Sequence, residues 1–111
     1  MLEQCGELVA AELTYPFGHD TAVFKVAGKM FALVSLGDTP GQATLKCDPK
    51  EATALRDAYD AITPGYHMNK RHWVTVDLGA ALPADLVAEL VRSSYELVVA
   101  SLPAKLRPVS A

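Results

Sequence analysis

Hydrophobic positions along this chain change their period several times, and each change marks an element. Between residues 2 and 13, Leu2, Cys5, Leu8, Val9 and Leu13 recur every three or four positions, with Glu3, Glu7 and Glu12 mostly off that stripe. This is the signature of an amphipathic helix. Tyr15, Pro16, Phe17 and Gly18 break it and predict a loop. From Ala22 the runs AVFKV and KMFALVSL are rich in strand formers, and Ala27-Gly28 between them has the length and the glycine of a tight hairpin turn. A true two-residue turn sets Phe24 opposite Phe31 and Ala22 opposite Leu33. One face of the ribbon is then apolar, and Lys25 points to the other. Gly37, Asp38, Pro40 and Gly41 predict the next turn, and ATLKC a third strand.

Asp48-Pro49 opens a second helix. Asp48 can cap it, Pro49 suits its first turn, and Glu51 stands at capping-box spacing. Ala52, Leu55, Tyr59 and Ile62 form its buried stripe, and Pro64-Gly65 ends it. HWVTVDL predicts a fourth strand, with Val74, Val76 and Leu78 on one face and Trp73 and Thr75 on the other. Pro83 starts a third helix that runs to about Leu102, where Pro103 closes it. The rows Leu86/Leu90/Leu97 and Val87/Val91/Val98 give this helix a broad buried face. Strands clustered in hairpins exclude a parallel, doubly wound sheet. The expected fold is α+β, an antiparallel sheet of four or more strands with helices packed on one face. Its other face should meet water, carrying Lys25, Trp73 and Thr75, with Thr44 and Lys46 beside them.

Composition narrows the functional classes. With 111 residues, half of them hydrophobic, the chain is expected to form one domain over residues 1–111, without repeats or linkers. Cys5 and Cys47 make no disulfide framework or CxxC pair, and read as small buried hydrophobes in a reducing compartment. The first thirteen residues carry no base, unlike a signal or transit peptide. No apolar run reaches the ~18 residues of a membrane span, so the expected location is the cytoplasm. Net charge is −3, from 13 acidic and 10 basic residues, whereas a nucleic-acid binder is expected to be basic. The distribution matters more than the total. Residues 1–21 hold four acids and no lysine or arginine. Lys25, Lys29, Lys46 and Lys50 stand in the next stretch against Asp38 and Asp48, and residues 64–76 hold Lys70 and Arg71 with no acid.

Residues 64–73, PGYHMNKRHW, concentrate binding chemistry: two of three histidines, the one tryptophan and a Lys-Arg pair. His67 and His72 are five apart, not the four that puts two imidazoles on one helical face, and no carboxylate or thiol accompanies them. No metal site or cofactor is therefore expected. Nucleophile elbows and glycine-rich phosphate loops are missing too, which argues against an enzyme. Anion binding fits the residue types better. Lys70 and Arg71 can neutralise phosphates, Asn69 and His72 can add hydrogen bonds, and Tyr66 and Trp73 offer rings for stacking. The plain alternative is that Tyr66 and Trp73 plug the core edge while Lys70 and Arg71 are merely solvated.

Several stretches together resemble the MmcQ/YjbR family of small bacterial proteins: Phe17-Gly18, VFKVAGKMFAL from Val23 to Leu33, LKCDP from Leu45 to Pro49, PGYHMNKRHWVTV ending at Val76, and SYELVVASLP from Ser94 to Pro103. The resemblance spans nearly the whole chain. It implies a CyaY-like fold, in agreement with the strand parity, and a DNA-binding role with a double-wing arrangement of the sheet. The wings here would be the Lys25–Lys29 hairpin and the Lys70-Arg71 loop. Three readings stand. DNA as partner would use Lys25, Lys29, Lys46, Tyr66, His67, Asn69, Lys70, Arg71, His72 and Trp73. A protein-interaction or small-ligand module would use Trp73 and Tyr66 as apolar anchors. Metal binding through Glu3 and Glu7, borrowed from the frataxin-like fold, ranks last.

Overall fold

The computed structural model describes residues 2–18, 20–35, 41–65 and 69–108. In chain order the elements are α1 (Leu2–Glu7), β1 (Glu12–Thr14), β2 (Thr21–Val26), β3 (Lys29–Ser35), β4 (Gln42–Lys46), α2 (Pro49–Ala58), β5 (Ile62–Pro64), β6 (Trp73–Asp77) and α3 (Ala84–Ala100), with a 3-10 turn at Ala104–Leu106. The strands form one antiparallel sheet in the order β1-β2-β3-β4-β6-β5. Alternate strand residues, among them Ala22, Phe24, Ala32, Val34, Ala43, Leu45, Ile62, Val74 and Val76, share one core with Cys5 of α1, Ala52 of α2 and Leu90, Val91 and Val98 of α3. The helices therefore cover a single face, as the hairpin clustering implies.

Ala27-Gly28 is the two-residue turn, with φ of 50° at Ala27 and 80° at Gly28. Two left-handed residues in a row match the twist of the flanking strands. The register beyond it differs from expectation. Val26 pairs with Lys29 and Lys25 with Met30, but Phe24 then faces Ala32 rather than Phe31, and Ala22 faces Val34 rather than Leu33. Phe31 is the extra residue of a β-bulge. The bulge lets the neighbours Phe31 and Ala32 both enter the core. Phe31 packs 6.2 Å from Phe24 and edge-on to Tyr95 at 5.3 Å between ring centroids.

The bulge also interrupts the next ladder. β3 and β4 pair at Ala32↔Leu45, Leu33↔Thr44 and Val34↔Ala43, and the ladder stops before Phe31 and Lys46. Ser94 of α3, wholly buried, enters the gap. Its hydroxyl donates to the Phe31 carbonyl and accepts the Lys46 N–H at 2.8 Å. Two backbone groups at the interrupted ladder, one buried and one part-buried, are satisfied by one side chain.

Three element boundaries depart from the periodicity. The first helix stops at Glu7 instead of Leu13, because Ala10 takes a left-handed φ of 60° and Glu12–Thr14 turn into an edge strand on β2. The second stops at Ala58, and Ile62 belongs to β5, paired with Val76, instead of to the helical stripe. The third ends at Ala100. The expected N-cap is present, with the Asp48 carboxylate accepting the Lys50 N–H at 3.0 Å.

Candidate nucleic-acid interface

Antiparallel pairing fixes which strand termini meet. β2 ends, β3 begins, β4 ends, β6 begins and β5 ends at the same edge of the sheet. That edge carries Lys25 (paired to Met30), Lys29 at the start of β3, Lys46 paired to Trp73, and the loop holding Lys70, Arg71 and His72. The lysines between residues 22 and 50 and the Lys-Arg pair, far apart in sequence, thus gather at one end. From β2 to β6 is three inter-strand steps, about 14 Å. Glu12, opposite Lys25, and Asp48 and Glu51 at the start of α2 share this end and temper its charge.

Eight of the ten members of the candidate set have a definite place. Lys29, Asn69, Lys70, Arg71 and His72 are exposed, while Lys25, Lys46 and Trp73 are half-buried. Trp73 stands opposite in parity to the buried Val74 and Val76, on the face away from the helices. Tyr66 and His67 lie outside the described residues. Asn69 shapes the loop: its side-chain carbonyl accepts the Arg71 N–H at 2.9 Å and its backbone carbonyl the His72 N–H at 3.2 Å. The His72 carbonyl in turn accepts the Cys47 N–H at 2.8 Å, tying the loop to the end of β4. Gly65 lets the end of β5 lie against the start of β6, since a Cβ there would lie 2.5 Å from Trp73 Cβ while its N–H bonds the Trp73 carbonyl at 2.9 Å.

Thr44 and Thr75 correct one expectation. They lie on the helix-free face, in a row that crosses every strand as Thr14, Val23, Leu33, Thr44, Thr75 and Thr63. Yet both are buried, at 5% and 4% exposure, and their hydroxyls are 3.0 Å apart. They satisfy each other and present little to water.

Two cations outside the candidate set, Arg56 and the Lys50 already counted in the basic stretch, join the basic end. Arg56, from the third turn of α2, donates to the Lys70 carbonyl at 3.0 Å and to Thr53 Oγ1 at 3.4 Å. Lys50, six residues before it, lines the same recess. The signal was present as Lys50, Thr53 and Arg56 at intervals of three, one helical face, but it reads as an ordinary solvated face until the loop is seen to pack there.

No nucleophile emerges from the cysteines. Both are buried and neither forms a disulfide. Burial pushes the Cys5 thiol up to about 11. Burial, and then the charges of Glu51 and Asp48, push Cys47 to about 11 as well, opposed by Arg56. Both remain protonated at neutral pH. No group of three or more His, Cys, Asp or Glu side chains among the described residues converges on a metal position, and no helix among them is long and apolar enough to cross a membrane.

The YjbR family model matches residues 6–97, and so takes in the whole sheet and most of α3. The chain belongs to the YjbR family. It is 41% identical to the uncharacterised protein YbdF of Escherichia coli O157:H7 over 86% of this chain and 79% of that one. It is 32% identical to the uncharacterised protein YjbR of Escherichia coli K12 over 96% of this chain and 91% of that one. Among solved structures, a Deinococcus radiodurans protein superposes with a TM-score of 0.89 at 41% identity, covering 95% of this chain and 80% of that chain. A Pseudomonas syringae protein superposes at 0.73 with 28% identity, covering 86% and 92%. The fold is thus shared with these solved structures.

Proposed function

We propose that this YjbR-family chain is a DNA-binding module, not an enzyme, that grips phosphates with the basic end of its sheet. One observation carries the reading: strand order gathers Lys25, Lys29, Lys46, Lys70 and Arg71, dispersed in sequence, at a single edge. Local charge, rather than the net charge of −3, governs contact at distances within a Debye length of about 8 Å. The hairpin at Ala27-Gly28 and the loop at residues 69–72 would act as the two wings flanking a strand of phosphates, with Trp73 available for stacking. The module would work in the cytoplasm.

Titration of duplex and single-stranded DNA at two salt concentrations tests this. Affinity should fall steeply with salt, and Lys70→Ala/Arg71→Ala should weaken binding about equally for all sequences while flattening the log–log salt slope by roughly one to two units. Melting should hardly move, because exposed charges contribute at most about 1 kcal/mol each. A wild-type protein with no DNA affinity at low salt would end this reading.

The second reading, a protein-interaction module, is favoured by a different region from the Trp73 and Tyr66 anchors expected from the sequence. Val9, Leu13, Tyr15 and Phe17 are large apolar side chains between 46% and 72% exposed, on and around the edge strand β1. That reading predicts binding indifferent to salt and to the Lys70-Arg71 pair.

A further inference from the structure

The outer face of α2 and the 69–72 loop enclose a shallow recess of about 440 Å³, lined by Pro49, Lys50, Thr53, Arg56 and Arg71. Its charged lining is wholly cationic. The acids of the same helix start, Asp48 and Glu51, line a different hollow, against Ser93, Glu96, Leu97 and Ala100 of α3. The first turns of α2 therefore sort their charges onto two sides. Lys50, Thr53 and Arg56 face the loop, and Asp48 and Glu51 face α3.

Arg56 is held in place rather than free. One guanidinium nitrogen bonds the Lys70 carbonyl and the other bonds Thr53 Oγ1, while Thr53 Oγ1 donates to the Pro49 carbonyl at 3.1 Å. The Arg71 backbone is likewise set, by Asn69. An arginine pre-positioned by neutral acceptors keeps its full charge for a ligand, and its ordering is already complete before the ligand arrives.

We propose that this recess is a phosphomonoester site, a subsite of the DNA-binding surface that takes the terminal phosphate of a strand. It rests on the reading of the basic end as a nucleic-acid surface. The charge count favours a chain end. An internal phosphodiester brings one negative charge to one position, whereas a phosphomonoester carries between about 1.5 and 2 at neutral pH with three strongly accepting oxygens. Lys50, Arg56 and Arg71 around one recess match the second. The same chemistry could come from a free nucleotide, so the experiment separates the two.

Fluorescence anisotropy should compare one oligonucleotide bearing a 5′-phosphate, a 3′-phosphate or neither, and a nucleoside monophosphate as competitor. A terminal phosphate should tighten binding about fivefold or more. Lys50→Ala, which removes a cation whose side chain anchors nothing, should cut that advantage to within twofold, a larger loss than it causes for the unphosphorylated strand. Equal affinity for phosphorylated and unphosphorylated strands overturns the subsite and leaves the DNA reading standing. If no strand binds at low salt, the DNA reading fails, and titration of inorganic phosphate against the amide resonances decides the recess alone. Shifts confined to residues 50–56 and 70–72, and lost in Lys50→Ala, support a phosphomonoester site for small molecules. Shifts scattered over surface lysines, or none, overturn it.

Discussion

The two ends of the sheet are built differently. At one end stand Lys25, Lys29, Lys46, Lys70 and Arg71, on a bulged ladder closed by a helix side chain and a loop tied down by Asn69, His72 and Arg56. At the other stand Asp20 before β2, Asp60 before β5 and Asp77 at the end of β6, and no described residue flanking the strands there is basic. The β4–β6 ladder runs in continuous register down to Gln42↔Asp77 at this acidic end. The basic end spends regularity on spacing: the bulge and the Ser94 bridge set where Lys46 and Trp73 stand relative to the hairpin. A net charge of −3 hides this polarity, which would orient the molecule in the field of a polyanion.

The largest test of the contrast is Ser94→Ala. It leaves the buried Phe31 carbonyl and the part-buried Lys46 N–H without their protein partner, at roughly 1–3 kcal/mol for the buried group and less for the other, so about 3 kcal/mol of stability should be lost in a denaturant melt. Amide exchange should accelerate far more at Lys46 than at Val76. Equal acceleration at both would mean that the bridge does not belong to the basic end in particular.

Next in size is a pair of charge changes. Lys70→Ala/Arg71→Ala should lower DNA affinity by about tenfold or more at low salt, while Asp20→Lys/Asp60→Lys, which add more charge, should change it less than twofold at physiological salt. A five-residue strand separates the ends by about 17 Å, twice the screening length. A large gain from the lysines would place the contact elsewhere.

Ala27→Gly should act more gently. Ala27 sits at φ 50°, and relief of left-handed strain outweighs the added chain entropy by about 0.5 kcal/mol. The Tm should rise by a few degrees, with no change at the acidic end. A fall would mean the turn is not strained.

Smallest is the pH effect of the thiols. Both folded values lie near 11, above the ordinary cysteine value. The contribution is therefore complete below the unfolded pKa and is lost as pH rises from about 9 to 11. Cys47→Ala, at the basic end, should shed part of that alkaline loss. An unchanged alkaline limb in the variant would exclude Cys47 as its source.

How much of this was legible in the sequence follows from how local each cause is. The Ala27-Gly28 turn and the Asp48 cap depend on adjacent residues, and both are where the pattern put them. The register beyond Lys25 turns on a bulge at Phe31, whose carbonyl is met by the distant Ser94, and no local pattern reveals it. β1 hid inside a helical period because its break, at Ala10, uses neither Gly nor Pro. β5 is only three residues long, and Ile62 fits a helix stripe equally well. In the candidate site, the Lys70-Arg71 pair announced itself through composition, whereas Lys50 and Arg56 became visible only when the loop folded against α2.

The Ser94 bridge has a consequence for the order in which the molecule is assembled. Ser94 lies 63 residues beyond Phe31 and 48 beyond Lys46. On a ribosome, every cation of the basic end through Arg71 is made before the hydroxyl that closes the ladder between β3 and β4. A nascent chain that stops short of α3 holds the charges without the clasp that spaces them. The finished spacing of the basic end thus arrives with α3, in one late, long-range step.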